Sequence, residues 1–335
     1  MSPGGSCRLV RAADAWLAVN LARADDVALA NAWLSDAGLE AGDPWPRLAR
    51  AIANAPATLL VESAAGLGLA VSRLGEADAL ISWLPPDEVR ALETRPLVVD
   101  LSALWAGPLC AQLLGLAGAR VVKVESVERP DGARRGAAPF FDLLHHGHES
   151  VALDFGTPRG RDALRALVGA ADVVIEASRP RALEQLGVDA HEHVDRGSVW
   201  VSITAYGRAA APHRVGFGDD VAIAAGVHAG APDAPLFCAD AVSDPVTGLW
   251  AARAALGALV AGGGVLLDVA MAAVTRLARG DERDEERAAQ LHDGRWLLGD
   301  IPVAPPRARS AVGPAAALGA DTAHVMDGIG VERWA

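Results

Sequence analysis

One stretch of the sequence has the residue types of a reactive centre: SDPVTG at 243–248, followed by an apolar run to residue 262. The run predicts a long helix, and Asp244 directly before Pro245 is the usual arrangement of an N-cap and a first helical residue. Backbone N–H groups and the helix dipole at such a position favour an ionised carboxylate. A partly desolvated carboxylate can act as a covalent nucleophile. Helix capping alone accounts for the same residues equally well.

Other acidic residues lie close to this stretch. Asp219 and Asp220 begin a second predicted helix, where acidic residues are ordinary caps, and Asp240 lies four residues before Asp244. Capping is therefore the simplest interpretation of Asp219 and Asp220 from their spacing alone.

A strand over 96–101 leads into a turn at Ala106-Gly107-Pro108 and then into a helix, and Glu125 closes the following strand. This order is typical of a nucleotide-binding half, in which an acidic residue lies near a ribose. The pattern GxGxxG is absent, so a nicotinamide nucleotide is disfavoured. A tight turn between strand and helix explains the residues at least as well.

Histidines occur in two groups, LLHHGHES at 143–150 and DAHEHVD at 189–195. We interpret the first group as a turn before a strand and the second as a polar loop, because short histidine tracts are weak indications of a metal site. The three cysteines are far apart and form no CxxC pair, which excludes a disulfide framework. We predict no metal.

Hydrophobic patterning predicts an α/β fold. Short, nearly unbroken apolar runs at 96–101, 119–125, 150–155, 171–177 and 199–207 are typical of buried parallel strands. A helical segment at 157–170 separates two of them, further helices are predicted at 219–227 and 244–262, and a last strand at 264–271. This alternation indicates a doubly wound, Rossmann-like parallel sheet.

The remaining segments divide the chain. Residues 1–83 mix short strands and helices and predict a smaller α+β domain. The Pro-rich, charged stretch 84–95 predicts a linker before the large domain at 96–278. Residues 279–335 begin with a charge run and are predicted to form a charged loop and an extended tail with a short final helix.

The formal net charge of −12 argues against nucleic-acid binding, because phosphates require a basic surface. No apolar run approaches the roughly 20 residues needed to cross a bilayer, and the N-terminus has no signal-like apolar segment. We therefore expect a cytoplasmic protein that binds neither nucleic acid nor membrane.

The succession of segments along residues 96–275 resembles the class III CoA-transferases, a superfamily that includes formyl-CoA and carnitine-CoA transferases and α-methylacyl-CoA racemase. The segments are VVDLSALWAGPLCAQLLGLAGARVVKVES, ESVALDFGTPRGRDALRALVGAADVVIEASRPRALEQLGV, VWVSITAYG, GFGDDVAIAAG and SDPVTGLWAARAALGAL. The tail ALGADTAHVMDGIG resembles the family's C-terminal end.

The resemblance implies a CoA-transferase with acyl-CoA and a small carboxylic acid as substrates, no tightly bound cofactor, and a homodimer. Asp244 matches the aspartate that attacks the acyl-CoA thioester, and Asp219 matches a second acidic position in the site. The CoA-binding surface of the family maps onto Trp105, Ala106, Gly107, Pro108, Glu125, Ser126, Ala177, Ser178, Arg179 and Gln185.

Several positions depart from the family pattern. A glutamine position of formyl-CoA transferase is Trp105 here, and a usual Lys/Arg pair reads His148-Glu149. The histidine that racemases pair with the aspartate falls on Gly218, which disfavours racemisation. A 2-methylacyl-CoA racemase and a non-catalytic acyl-CoA-binding homologue are the alternatives.

The order of the segments departs as well. Residues 12–77 resemble the family's small domain, yet they precede the large one, and SPGGS at 2–6 resembles the end of the glycine-rich loop that covers the active site. The chain therefore resembles a permuted member or one half of a duplicated arrangement.

Overall fold

The computed structural model describes residues 1–35, 42–81, 95–178, 180–231, 233–280, 290–304, 307 and 309–331. The first unit comprises three strands and three helices. They are β1 (Cys7–Arg11), β2 (Trp16–Asn20), α1 (Asp26–Leu34), α2 (Trp45–Ile52), α3 (Ala57–Leu67) and β3 (Ala70–Arg73).

The three strands form an antiparallel sheet in the order β1-β2-β3. Leu17 and Val19 on β2 are buried against Trp33 of α1, Leu48 of α2 and Leu60 of α3. The unit is thus α+β, as the sequence predicts. Strand β1 is absent from the prediction, because two of its five residues are arginines and its apolar residues do not alternate with polar ones. The predicted linker lies mainly at 82–94, outside the described residues.

The second unit is built on six strands with helices between them. The elements are β4 (Leu97–Asp100), α4 (Ala106–Leu116), β5 (Arg120–Ser126), a 3₁₀ helix (Gly132–Arg135), α5 (Ala138–His145), β6 (Glu149–Leu153), α6 (Pro158–Gly169), β7 (Val173–Glu176), α7 (Pro180–Gln185), α8 (Ala190–Asp195), β8 (Val199–Thr204), α9 (Gly218–Ala224), α10 (Ser243–Val260), β9 (Val265–Ala270) and α11 (Met271–Arg279).

The six strands are parallel and lie in the order β6-β5-β4-β7-β8-β9. Neighbouring residues on β4 point to opposite faces: Val98 packs with Leu114 of α4 and Ala255 of α10, and Val99 packs with Leu164 of α6. Helices therefore cover both faces. The predicted doubly wound α/β fold is confirmed, and the apolar strands are continuous because both of their faces are buried.

The two units contact each other through strand β3 and helix α9. The backbone N–H groups of Gly75 and Ala77 donate to the carbonyls of Ile223 and Ala224, at 3.0 and 2.9 Å. The side chain of Ile223 is buried with that of Cys7. These contacts fix the first unit to α9, the helix that contains Asp219 and Asp220.

The C-terminal part contains a small sheet that the sequence analysis missed. Strands β10 (Gln290–His292), β11 (Arg295–Leu298) and β12 (Ile301–Pro302) pair antiparallel, and helix α12 (Thr322–Gly328) follows. The final helix agrees with the prediction. It is held against the large sheet because the Asp321 carboxylate accepts the backbone N–H of Ser150 at 2.8 Å. The predicted charge run lies mostly at 281–289, outside the described residues.

The first histidine group lies partly in a turn before strand β6, as predicted, whereas the interpretation of the second group as a polar loop is wrong. His145 ends helix α5, and His193 lies within helix α8, where its ring stacks on Trp200 with centroids 5.8 Å apart. His145 and His148 are buried, and burial lowers their pKa values to about 2 and about 3, so both rings are neutral. No group of His, Cys, Asp and Glu side chains among the described residues is arranged to hold a metal ion.

Within the described part of the chain, no helix is both long and apolar enough to cross a membrane.

Candidate active site

The strand order places a crevice at the carboxyl ends of the central strands β4 and β7. β4 lies between β5 and β7, so the connections leaving β4 and β7 run to opposite faces of the sheet. Ligands of such sheets bind at this switch point, outside the carboxyl ends of the strands. A cavity of about 150 Å³ lies there. Its wall includes Leu104, Ala106, Ala177, Ser178, Thr204, Arg214, Phe217 and Asp244.

Asp244 reaches this cavity from the start of helix α10. The helix begins at Ser243 and its N-cap is Val242, so Asp244 is the second helical residue, and the predicted N-cap assignment is wrong by two positions. The reason is a tight turn: the backbone N–H of Asp244 bonds the carbonyl of Ala241 at 2.9 Å, which starts the helix earlier. The carboxylate still lies within the first turn, where the helix dipole favours negative charge.

Gly218, the first residue of α9, lies directly against the Asp244 carboxylate. A β-carbon at Gly218 would overlap Asp244 Oδ2 and would lie 2.6 Å from the Ala241 β-carbon. Only glycine permits this approach, and the Gly218 backbone N–H donates a hydrogen bond to the carboxylate. A histidine side chain therefore has no room at this position.

The turn before α10 has a strained backbone. Ala239 and Ala241 have positive φ angles of 62° and 46°, and Leu104, across the cavity, has 68°. Such angles are unfavourable for residues with a β-carbon and persist only where the surroundings impose them. Here Asp219 contributes, because its carboxylate accepts the backbone N–H of Ala241 at 2.9 Å. Asp219 thus holds the turn that positions Asp244.

The charge environment of Asp244 is negative. Burial is the largest cause that raises the pKa of Asp244, the carboxylates of Asp220, Asp219 and Asp240 add to it, and the Gly218 N–H opposes them, with a net value of about 7. Asp220 is fully buried, and burial raises its pKa to about 7 as well. Asp244 can therefore exchange its proton near neutral pH, which an ordinary aspartate cannot do.

The N-terminal segment lies beside this cluster. The backbone N–H of Gly4 donates to the carboxylate of Asp240. Ser2 is buried and its backbone N–H bonds the Cys7 carbonyl at 2.8 Å. The SPGGS segment is therefore adjacent to the acidic residues around Asp244, near the site that a glycine-rich loop covers according to the resemblance.

Comparison with known proteins agrees with this geometry. Residues 96–279, more than half of the chain, match the family model described as CoA-transferase family III. The chain belongs to CoA-transferase family III.

Several relatives carry CoA-transferase names. The succinyl-CoA–D-citramalate CoA-transferase of Chloroflexus aurantiacus is 34% identical over 191 residues, which are 53% of this chain and 45% of that protein. The succinate–glutarate CoA-transferase of Agrobacterium fabrum is 31% identical over 199 residues, 52% of this chain and 49% of that protein. The chain spans about half the length of the curated relatives it matches.

Solved structures show the same fold. A hypothetical protein from Mycobacterium tuberculosis superposes with a TM-score of 0.52 at 31% identity, covering 57% of this chain and 58% of that one. A CAIB/BAIF family protein from Brucella suis gives 0.50 at 31% identity, covering 54% of this chain and 53% of that one.

The predicted CoA-binding residues of this family III chain divide into two groups. Ala106, Ala177 and Ser178 line the cavity together with Asp244. Gly107 and Pro108 are buried under the start of α4, where a β-carbon at Gly107 would overlap the Ser102 side chain. These two residues allow the helix to pack closely on the strand end.

Trp105 and the end of β5 are engaged elsewhere. The Trp105 ring packs edge-on against Phe140 at 5.0 Å. Glu125 is buried and ion-paired with Arg134 at 2.5 Å, and Ser126 accepts the Glu128 N–H at 3.3 Å. A Glu125 that is bound by Arg134 is a weaker candidate for a ribose contact than the sequence implied. Gln185 is exposed at the end of α7, and Arg179 lies outside the described residues.

The departures at 148–149 also have a structural explanation. Glu149, at the start of β6, is ion-paired with Arg120 of the neighbouring strand at 2.6 Å. His148 is buried near the α4 backbone, with its ring nitrogen 3.7 Å from where a β-carbon on Gly115 would lie. These side chains support the β5–β6 edge of the sheet and do not line the cavity.

The sequence did not indicate two residues near the site, Arg214, which lines the cavity, and Asn20, which bonds Asp220. It also did not indicate that Asp220 is fully buried. Arg214 stacks on Tyr206 at 3.6 Å and pairs with Glu76 of the first unit at 2.5 Å. Its only sequence signal is a basic residue in the Gly- and Pro-containing loop before α9. Asn20 is 200 residues from its partner Asp220, and no local pattern could link them.

Proposed function

We propose that this family III protein transfers coenzyme A between an acyl-CoA thioester and a carboxylic acid, with Asp244 as the covalent nucleophile. One observation carries the proposal: a single carboxylate at a helix N-terminus opens into the switch-point cavity and accepts the Gly218 N–H. CoA-transferase names among the relatives add support.

In the first step an oxygen of the Asp244 carboxylate attacks the thioester carbonyl, the carbon–sulfur bond breaks, and CoA leaves as the thiolate. The product is a mixed anhydride. The thiolate then attacks the Asp244 carbonyl of the anhydride, which releases the donor acid as a carboxylate and leaves an aspartyl-CoA thioester. Covalent catalysis of this kind divides one difficult transfer into easier steps.

The acceptor acid reverses these steps. Its carboxylate attacks the aspartyl thioester, CoA leaves again as the thiolate, and a second mixed anhydride forms. The thiolate attacks the acceptor's carbonyl carbon, so the new acyl-CoA departs and the Asp244 carboxylate is restored. The Gly218 N–H and the first turn of α10 provide fixed dipoles beside the oxygens that change charge.

The substrate acid is proposed only as a class. Arg214 is the one cationic side chain among the described residues that line the cavity, and the rest of the wall is mostly small and apolar. These properties favour a small carboxylic acid over a bulky one. The relatives' names include succinate, glutarate and citramalate, which we propose as the first acceptors to assay.

Racemisation of a 2-methylacyl-CoA is the disfavoured alternative. It requires a second base opposite the carboxylate, and no histidine among the described residues lines the cavity. The contact between Gly218 and Asp244 leaves no space for one at position 218. Deuterium wash-in at C2 of the acyl group would revive this alternative, and CoA binding without turnover would favour a non-catalytic homologue.

The central test traps the intermediate. The protein is incubated with succinyl-CoA and hydroxylamine, and the peptide containing Asp244 is examined by mass spectrometry. We expect a hydroxamate at Asp244, no product without succinyl-CoA, and a loss of transfer of about 10³-fold or more in Asp244→Ala. Asp240→Asn is the matched control, because it removes a nearby exposed carboxylate. Full transfer by Asp244→Ala would exclude this residue as nucleophile.

We also propose the domain division 1–83, 84–95, 96–278 and 279–335, and a homodimer, as the family resemblance implies. Light scattering at micromolar concentration measures the assembly, and a monomeric mass would contradict it.

A further inference from the structure

Asp220 is bonded through only one of its oxygens. Oδ1 accepts two N–H donors, the Asn20 side-chain amide and the Phe217 backbone, each at 2.9 Å. Oδ2 is buried and has no hydrogen-bond partner in the described part of the chain. A β-carbon on Gly216 would lie 3.0 Å from Oδ2 and 2.8 Å from Ala205 and Val221, so the surroundings of this oxygen are largely apolar.

The two carboxyls near α9 and α10 have different surroundings. Asp244 opens to the cavity, lies in the first turn of a long helix and accepts the Gly218 N–H. Asp220 has no exposed surface. Among the charged groups, Asp220 acts most strongly on Asp244. Both carboxyls lie in the first turn of a helix, so the helix dipoles do not distinguish them. If one proton is shared between them, solvation favours the anion on Asp244, which reaches the cavity, over the fully buried Asp220.

Other ionisable groups face Asp220 from neighbouring elements, and none of those in the described part of the chain supplies an uncompensated positive charge. Arg214 is the one cation among these described groups, and it is ion-paired with Glu76 at 2.5 Å. The remaining groups are neutral or acidic: Asp219 on α9, Asp244 on α10, Tyr206 after β8 and Cys7 on β1.

We propose that Asp220 is held as a neutral carboxylic acid, with its proton on Oδ2, so that Asp244 is the only anion of the pair. Oδ1, with two donors, is the carbonyl oxygen, and Oδ2 is the hydroxyl. The inference rests on the proposed function, in which Asp244 must be ionised to attack. Asp220 is then a positioning residue that acts through Asp244, and Asn20 extends its support to the first unit.

The pKa of each carboxyl is raised to about 7, so the pair holds a proton near neutral pH, and the different exposure of the two side chains assigns that proton to Asp220. Two interacting carboxyls release their protons in two steps that belong to the pair. Between these steps the pair carries one proton and one negative charge. A second negative charge at higher pH would repel the incoming carboxylate and thiolate.

The first test observes the proton directly, without substrate. The full chain is labelled with aspartate carrying ¹³C at the side-chain carboxyl, and its NMR spectrum is recorded at pH 7. We expect one carboxyl resonance at the protonated position, absent in Asp220→Asn and present in the control Asp240→Asn. A resonance that persists in Asp220→Asn would overturn the proposal.

Asparagine mimics the neutral acid in shape and hydrogen bonding, so Asp220→Asn should unfold at the same urea concentration as the wild type. Failure of this variant to fold would count against a neutral Asp220. A second variant, Asn20→Leu, removes one donor from Oδ1 and should leave the protonated resonance in place. Its loss in Asn20→Leu would also contradict the assignment.

The second test uses the pH profile of kcat/KM for CoA transfer. In Asp220→Asn we expect the alkaline limb to disappear, because no second charge can form, while the acidic limb keeps its position. A shift of the acidic limb to lower pH by more than about half a unit would show that Asp220 is the anion instead. The NMR result stands even if no transfer is found, so failure of the proposed function and failure of this inference are distinguishable.

Discussion

Two groups of carboxylates lie in the large unit, and they differ in whether a buried cation is paired with them. The lysine cluster consists of Lys123, Asp100 and Asp131, with Lys123 Nζ at 3.1 Å from Asp131, 3.7 Å from Asp100 and 2.7 Å from the Ser102 carbonyl. The nucleophile cluster, named for the role proposed for Asp244, consists of Asp219, Asp220, Asp240 and Asp244, and the charges that act on Asp244 are all negative.

Pairing decides what each cluster does. Burial alone would lower the pKa of Lys123, but Asp100, Asp131 and Glu125 outweigh burial and raise it, so the lysine remains charged and holds its neighbours. Asp131 in turn accepts the Leu104 N–H at 3.0 Å and fixes the cavity wall. The lysine cluster therefore stabilises the loop at Leu104. The nucleophile cluster has no such cation, and Asp244 is left as a carboxylate that we propose can react.

The largest effect is expected from breaking the lysine cluster. Lys123→Met leaves two buried carboxylates without their cation, which should destabilise the protein by about 3–5 kcal/mol. Urea unfolding measures this change. The control is Arg196→Met, because the 3.7 Å ion pair of Arg196 with Glu192 is exposed, and its effect should stay within about 0.5 kcal/mol. A loss below about 1 kcal/mol for Lys123→Met would mean that the cluster does not depend on its cation.

Gly218→Ala tests the other cluster. The new β-carbon would overlap the Asp244 carboxylate and press on Ala241 at 2.6 Å, so Asp244 must move. We expect transfer to fall about 10²-fold, as small displacements of a reacting group commonly produce. Gly66→Ala is the matched control, since nothing lies within 4 Å of a β-carbon there. Unchanged transfer by Gly218→Ala would show that this contact does not position the nucleophile.

The hydrophobic pattern of the sequence predicted some elements of the fold and missed others. The apolar runs at β4, β5 and β7 identified the parallel sheet because strands buried on both faces need no alternation. Helix α11 was missed because it follows β9 without any turn residue. Strand β11 was missed because its apolar side chains are partly exposed.

For the site, the family resemblance predicts Asp244, but the environment of Asp244 could not be inferred from its neighbours in the sequence. Asp220 follows Asp219 in a sequence that predicts two helix caps, and only the approach of Asn20 from β2 distinguishes them. Glu125 was predicted to face a ribose because a strand-end acid often does, and its pairing with Arg134 depends on the intervening 3₁₀ helix. Contacts between distant segments are the common reason for these errors.

The nucleophile cluster also predicts how stability depends on pH. The folded state raises the pKa of Asp244 from its ordinary 3.8 to about 7, so it favours the protonated form. This contribution to stability is complete below about pH 4 and is lost as the pH rises through about 7. The full shift corresponds to about 4 kcal/mol, and water in the cavity screens part of it, so Asp244→Asn should be more stable than the wild type by about 1–2 kcal/mol at pH 8 and equal to it at pH 4.

Urea unfolding at the two pH values checks this prediction, with Asp240→Asn as the control for an exposed member of the cluster. A stability difference of the same size at both pH values would mean that loss of the Asp244 charge is not its cause.

The smallest effect is expected at the partly exposed pair of Arg120 and Glu149, whose side chains are 29% and 24% exposed. Hydrogen bonding to Glu149 raises the pKa of Arg120, so the pair stays charged. Water solvates either partner left alone, so Arg120→Met should destabilise the protein by at most about 1 kcal/mol.

A double-mutant cycle with Glu149→Gln isolates the pair from the packing of the arginine stem. A coupling energy above about 2 kcal/mol would mean that this partly exposed pair is as strong as the buried lysine cluster. Burial would then not explain the difference in strength between the two ion pairs. A small coupling at this partly exposed pair, beside a large loss in Lys123→Met, would mean that the strength of the lysine cluster derives from exclusion of water.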